Sequence, residues 1–316
     1  MKNNELPDGL HSDTLGVRAG QMRTGFEETS EPMFLNSGYV YESAEAAEAA
    51  FNGDIQRFVY SRYGNPTVRM FEERLAQLEG AEDCFATASG MAAVFNSLLA
   101  VVNAGDRVVA SRALFGSCAV ILRDLLPRWG VTTQFVDGED LDQWAAALAK
   151  PTQAVFFESP SNPMQDIIDI PAVCELARGA GATVILDNVF ATPLFQQPLT
   201  LGADVVVYSA TKHAVEGMTK SMAIEWGPKG IRVNAVIPGP IARTEGMARL
   251  APDERTRATV VAGVPLGRLG TVDDIGAAVV WLCSEAASYV TGAVVPVDGG
   301  ANLLGAGALY QHFRTL

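Results

Sequence analysis

The sequence holds no run of about eighteen uncharged apolar residues, so no membrane-spanning helix is expected. Its N-terminus, MKNNELPDGLHSDT, is polar and acidic and lacks the apolar core of a signal peptide. Positive charge is also short: 23 Lys and Arg stand against 36 Asp and Glu, a net charge of -13. The basic residues are scattered singly, and an acidic chain without a basic patch is repelled by nucleic acid and by anionic membrane. Neither is expected as a partner. Cysteine and histidine are scarce. Cys84, Cys118, Cys174 and Cys283 are widely spaced, and His11, His213 and His312 complete no ligand spacing, so no metal site is expected. So few cysteines fit a reducing, cytoplasmic setting. Internal repeats and low-complexity linkers are absent as well.

What is present is alternation. Short Val/Ile/Phe-rich runs (DRVVAS, VTTQFVD, QAVFFESP, ATVILDN, LGADVVVYSATK) take turns with helical stretches. The segment CFATASGMAAVF reads as a short strand turning at Ser89-Gly90 into an apolar helix, and Phe115 to Leu126 reads as another helix. Apolar strands alternating with helices predict a three-layer α/β fold, a mostly parallel sheet covered on both faces. Polar residues collect where these strands end: Ser89, Glu158 with Asn162, Asp187, and Ser209 with Lys212. Open α/β sheets bind ligands at that edge. Three parts are expected: an N-terminal arm and first helix over 1–58, a ligand-binding portion over 59–212, and a differently patterned segment over 213–316. The strand that begins near Ile231 is expected to add at the edge of the same sheet.

The chemistry centres on YSATKH, Tyr208 to His213. A lysine just past a strand, flanked by small hydroxylated residues, can trap an aldehyde. Pyridoxal phosphate needs such a lysine, an acid for its ring nitrogen, donors for its phosphate and a flat side chain over the ring. Lys212, Asp187, the Ser89-Gly90-Met91 turn with Ser209 and Thr211, and Phe115 are candidates in that order. Each has an ordinary alternative as a surface lysine, a helix cap, a common turn or a core aromatic. Only the ordered set points to the cofactor.

That set is carried by YSRYGNPT, ATASGMAA, SRALFGSC, FFESPSNP, ILDNVFATP and VVYSATKH. On these motifs, residues from about 10 to 213 resemble the trans-sulfuration family of pyridoxal phosphate enzymes. The resemblance implies the large domain of a type I pyridoxal phosphate transferase. It implies Lys212 as Schiff-base lysine and proton shuttle, and Asp187 on the pyridine nitrogen. Gly90, Met91, Ser209 and Thr211 would hold the phosphate, and Asn162 would lie near the phenolic oxygen. Tyr60 and Arg62 would reach the phosphate of a neighbouring subunit, making a dimer the minimum unit and a tetramer usual. Phe115 stands where many members have tyrosine. The reaction implied is γ-replacement on an O-acylated homoserine, a small amino-acid substrate, by a sulfur nucleophile in methionine biosynthesis.

Past His213 that resemblance stops, and the family's C-terminal domain, with the arginine for the substrate α-carboxylate, is missing. YSATKHAVEGMTKSMAIEWGPKGIRVNAVIPGPIART and PLGRLGTVDDIGAAVVWLCSEAASYVTGAVVPVDGG instead resemble the C-terminal part of a short-chain dehydrogenase/reductase, a Rossmann-like segment over about 208–301. That implies Tyr208 as acid/base, Lys212 as its modulator, Ile237-Pro238-Gly239 and Thr244 beside a nicotinamide, and NAD(P) as cofactor. The T-G-x-x-x-G-x-G fingerprint of the first half is absent, and Phe195 stands where the family's serine is expected. The chain therefore reads as a chimera joined at YSATKH. A pyridoxal phosphate enzyme, a reductase and an inactive chimera stay open as readings.

Overall fold

The computed structural model describes residues 2–3, 6–26, 28, 31–162, 165–209 and 211–301; the side chains of 2, 3, 211–217, 249 and 250 lie outside the description. At the N-terminus β1 (Lys2–Asn3) pairs antiparallel with β2 (Met22–Arg23), with α1 (Ser12–Arg18) between them. Helix α1 precedes the alanine-rich one expected as the first. That one is α2 (Ala44–Asn52), capped by the Ser43 side chain. Helix α3 (Pro66–Glu79) follows the YSRYGN loop. Asn65 caps its Thr67 N–H at 2.9 Å, Pro66 takes the first turn, and Gly80 closes it at φ 74°.

The central layer forms from the apolar runs. After α4 (Gly90–Val101) come β3 (Arg107–Ser111), α5 (Gly116–Val120), β4 (Thr132–Val136), α6 (Leu141–Leu148) and β5 (Ala154–Glu158). Then follow α7 (Ile170–Gly179), β6 (Thr183–Asp187), the short α8 (Thr192–Phe195) and β7 (Val205–Val207). The strands form one parallel sheet in the order β4-β3-β5-β6-β7. Because strand side chains alternate, each strand feeds two cores. Val109, Val155, Phe157, Val184 and Leu186 pack on α6 and α7 around Trp144. Val108, Ala110, Phe156, Ile185 and Val207 pack on α4 and on the helical stretch after α5, around Leu98 and Leu122. The fold class is thus α/β with a covered parallel sheet. The order also creates a switch point: β4 lies on one side of β3 and β5 on the other, so the connections leaving β3 and β5 diverge.

Several local expectations are corrected. Residues 84–88 form no strand; they pair with no strand among the described residues, and Phe85 is 82% exposed. The helix expected from Phe115 to Leu126 begins as α5, continues as one π turn (Ile121–Leu125), and ends in a 3-10 turn over Leu126–Trp129, where Pro127 interrupts the hydrogen-bond ladder. The strand leading toward Lys212 stops at Val207, and α9 (Thr211–Trp226) already contains the lysine in its first turn. The strand near Ile231 does not add to the main sheet. As β8 (Ala235–Pro238) it is followed by α10 (Glu245–Leu250), α11 (Glu254–Ala262) and α12 (Val272–Cys283), and pairs parallel with β9 (Val294–Val297) in a separate two-stranded sheet. Its register partner lies about sixty residues downstream, and a local pattern carries no information on that choice. Helix α12 opens with the capping box of Thr271 and Asp274. The tail GALYQHFRTL, expected as a terminal covering, lies outside the described residues. No helix among the described residues is long and apolar enough to cross a membrane.

Phe157 is fully buried edge-on to Trp144, ring centroids 5.9 Å apart. Phe157→Ala is expected to cost about 3–5 kcal/mol, through lost transfer energy and the cavity left behind. Chemical denaturation checks it, and a cost below about 1 kcal/mol would contradict this assignment of the core.

Candidate functional site

The site lies at the carboxyl ends of β5 and β6. Parallel pairing puts Glu158 directly opposite Asp187 in Cα register. Both end strands that are otherwise apolar, so both carboxyl groups are carried out of water: Glu158 is 3% exposed and Asp187 9%. The Cys118 thiol on α5 joins them, and one ligand atom from each lies within 4.8 Å of the others. Burial and the facing Asp187 charge push the Glu158 carboxyl up to about 7, against the pull of its hydrogen bonds. Burial pushes Asp187 up to about 6, opposed by the Val189 N–H it accepts at 3.0 Å. The thiol is raised by burial and then by the two carboxylates. A thiolate, which a soft metal would require, is thereby disfavoured. Among the described residues Asp187 forms no ion pair. The cluster is electrically incomplete in the sense that suits a cationic N–H.

A second feature suits an anion. Ser89 caps α4, its hydroxyl accepting the Ala92 N–H at 3.1 Å, and Gly90 occupies the first helical position. A Cβ on Gly90 would stand 2.9 Å from Ser209 Cβ and 3.0 Å from its Oγ. Only glycine lets the Ser209 hydroxyl approach a helix N-terminus this closely. Free backbone N–H groups, the helix dipole and a hydroxyl there suit a phosphate. Met91, half-buried, packs its side chain back on the α4 core.

The loops that follow β3 and β5 meet at the acid pair. Phe115 N–H donates to Glu158 Oε1 at 2.8 Å and Asn162 N–H to Oε2 at 3.0 Å. Phe115 as a whole is 41% exposed. Tyr60 and Arg62 sit on the exposed loop before α3, the guanidinium 5.2 Å from the ring centres of both Tyr60 and Tyr63. No hydrogen bond among the described residues links them to the acid pair. Ser209 is described. The Thr211 and Lys212 side chains lie outside the described residues, although their backbone opens α9. The structure thus brings together Asp187, Phe115 and Asn162 on one side, and Gly90 and Ser209 on another. Sequence reasoning missed Glu158 as the link and Cys118 as its neighbour. An acid closing an apolar strand was the one available signal.

Tyr208 is tied down. Its hydroxyl donates to buried Glu79 and accepts from Asn188 Nδ2 at 2.8 Å. Gln196 extends the network, its Nε2 donating to Ser159 O at 2.7 Å and to Asn188 Oδ1 at 2.8 Å. Burial and the Glu79 acceptor push the phenol's pKa above its ordinary value. An acid/base tyrosine needs the opposite shift. Phe195 is exposed, and Thr244 caps α10 by accepting the Met247 N–H at 3.2 Å.

Comparison with known proteins places the chain in a family. The family model described as Cys/Met metabolism PLP-dependent enzyme matches residues 13–223, about two thirds of the chain. The chain belongs to this family of pyridoxal phosphate-dependent enzymes. O-succinylhomoserine sulfhydrylase of Mycobacterium tuberculosis is 66% identical over 208 residues, 66% of this chain and 51% of the relative. O-succinylhomoserine sulfhydrylase of Pseudomonas aeruginosa is 44% identical over 230 residues, 73% of this chain and 57% of the relative. A solved O-acetylhomoserine (thiol)-lyase of Campylobacter jejuni superposes with a TM-score of 0.63 at 33% identity. The match covers 66% of this chain and 51% of that one, which carries a pyridoxyl-lysine monophosphate. The chain therefore spans about half the length of the relatives it matches. A second model, described as enoyl-(acyl carrier protein) reductase, matches residues 176–302. The two matches overlap over 176–223, the stretch that contains YSATKH, so one chain matches two family models along adjoining stretches.

The raised acids make stability depend on pH in a definite direction. With folded values above the ordinary 4.5 and 3.8, the folded chain holds protons that the unfolded chain releases. Their contribution is complete below those ordinary values and is lost as pH rises through about 6 for Asp187 and about 7 for Glu158. Glu158→Gln removes one of the two titrations. The stability advantage of the parent chain over this variant should therefore shrink as pH rises from 4.5 to about 7. Thermal melts of both proteins across that window check it; a difference that does not vary with pH contradicts it.

Proposed function

We propose that the chain binds pyridoxal phosphate and that its chemistry, where it runs, is the γ-replacement of O-acylated homoserines, in which a sulfur nucleophile bonds to Cγ and the acyloxy group leaves as a carboxylate, as in an O-succinylhomoserine sulfhydrylase. The observation that carries this is the buried Asp187, which has no cationic partner among the described residues. A protonated ring nitrogen would supply that partner and relieve its repulsion with Glu158. The close approach of Gly90 and Ser209 supports a phosphate at the start of α4. The residues present thus fit the cofactor.

In this reading Asp187 holds the ring nitrogen, Gly90, Met91, Ser209 and Thr211 the phosphate, and Asn162 the ring oxygen, while Phe115 covers the ring face. Lys212 is the attachment point and carries the protons at the substrate's α and β carbons. Once bound, the cofactor acts as an electron sink for carbanion formation. Tyr60 and Arg62 serve the phosphate site of a second copy, so the working form is a homodimer or tetramer. Arg62, already lodged against two aromatic rings, is pre-positioned for bidentate phosphate binding. The cytoplasm is the setting. We propose residues 1–58, 59–212 and 213–316 as arm, cofactor portion and reductase-like segment. Turnover is expected to be slow, because the residues after 223 lie outside the family match. The reductase reading is disfavoured by the raised Tyr208 phenol and its engaged hydroxyl.

The test is absorbance titration with pyridoxal phosphate, then borohydride reduction and peptide mapping. A visible band that becomes a reduced adduct on Lys212 is expected. No saturable band and no labelled lysine would overturn the proposal.

A further inference from the structure

Glu158 has no role in the proposal above, yet it is among the most buried polar residues at the site. A carboxylate buried in a strand is costly unless its oxygens are used. Here both are. Oε1 takes the Phe115 N–H at 2.8 Å and Oε2 the Asn162 N–H at 3.0 Å. These two donors belong to the loops after β3 and β5, the strands that flank the switch point of the sheet. Connections diverge there, so no ladder hydrogen bond ties one loop to the other. The carboxylate does so, as a two-toothed clamp fixed to the end of β5. Its Cα register with Asp187 sets the clamp against the acid that would meet the ring nitrogen.

We infer that Glu158 is a positioning residue of the cofactor site: it fixes Phe115 and Asn162 relative to each other and to Asp187. Phe115 would meet the ring face and Asn162 the ring oxygen, so the one clamp orients the ring about two of its contacts. Phe115 caps α5 without a side-chain hydrogen bond, and the Asn162 N–H has Glu158 as its acceptor. Glu158 acts through these residues rather than on the cofactor. The inference rests on the proposed pyridoxal phosphate reading.

The test uses Glu158→Gln and Glu158→Asp in the full chain. Glutamine keeps the shape but turns an N–H toward one of the two donors, so one tooth is lost. Aspartate keeps the carboxyl group, which supplies a second variant if glutamine does not fold, but is one methylene too short to span both loops. The first readout needs no cofactor: above pH 7, where Glu158 is ionised, amide hydrogen exchange at Phe115 and Asn162 should speed up by about tenfold or more in either variant, since a lost bond to a charged group is worth that much. The second readout is the affinity and induced circular dichroism of added pyridoxal phosphate. Affinity should fall by about tenfold, with a changed dichroic band showing a reoriented ring. Unchanged exchange at both amides overturns the inference. So does a variant that merely melts earlier while affinity and dichroism stay at the parent values. If the parent chain itself binds no pyridoxal phosphate, the function proposal fails alone, because the exchange measurement still decides whether Glu158 clamps the loops.

Discussion

Two carboxyl groups held face to face out of water at the ends of β5 and β6 are the constraint around which this molecule is organised. Like charges this close, in surroundings this dry, resist being ionised together. The chain has taken on that cost where an all-apolar strand end would have been cheaper. Each acid answers for it differently. Glu158 spends its oxygens on backbone N–H groups and so stitches together two loops that the sheet order drives apart. Asp187 accepts one N–H from its own turn and forms no ion pair among the described residues. Two acids with different hydrogen-bond loads thus stand side by side, and in the proposed reading the first holds the frame in which the second meets the cofactor.

The rest of the sheet serves this arrangement. Strand alternation sends Phe156 and Phe157 to opposite cores, which pins the register of β5 from both faces. A one-residue slip would invert every side chain and separate Glu158 from Asp187. The Tyr208, Glu79, Asn188 and Gln196 network anchors the chain just past β7 to α3 and to the loop after β5. The tyrosine that a reductase would use for proton transfer is thereby a structural post. The first residue of the hexapeptide is committed to this hydrogen-bond network.

Much of this was legible in the sequence, for reasons that are local. Asp187 could be picked out because an acid closing the run TVIL stands in conflict with its neighbours. Ser89 and Gly90 were readable because caps and glycine turns are written in adjacent residues. The two families could be separated because their motifs are contiguous. What was not legible depends on partners distant in the chain. Glu158 looks like Asp187 until Phe115, 43 residues earlier, is seen donating to it. Residues 84–88 have the composition of a strand but pair with no strand among the described residues. The strand at Ala235 was expected on the main sheet and instead pairs with β9, a choice made by tertiary contacts. The start of α9 before Lys212 was hidden by the apolar run leading into it.

The most direct measurement is a crystal structure of the protein soaked or co-crystallised with pyridoxal phosphate. The account predicts the ring nitrogen on the Asp187 carboxylate, the phosphate at the Gly90 end of α4 beside Ser209, and continuous density to Lys212. Cofactor density away from Asp187, or an Asp187 whose carboxylate meets a protein cation instead of the ring, would contradict it.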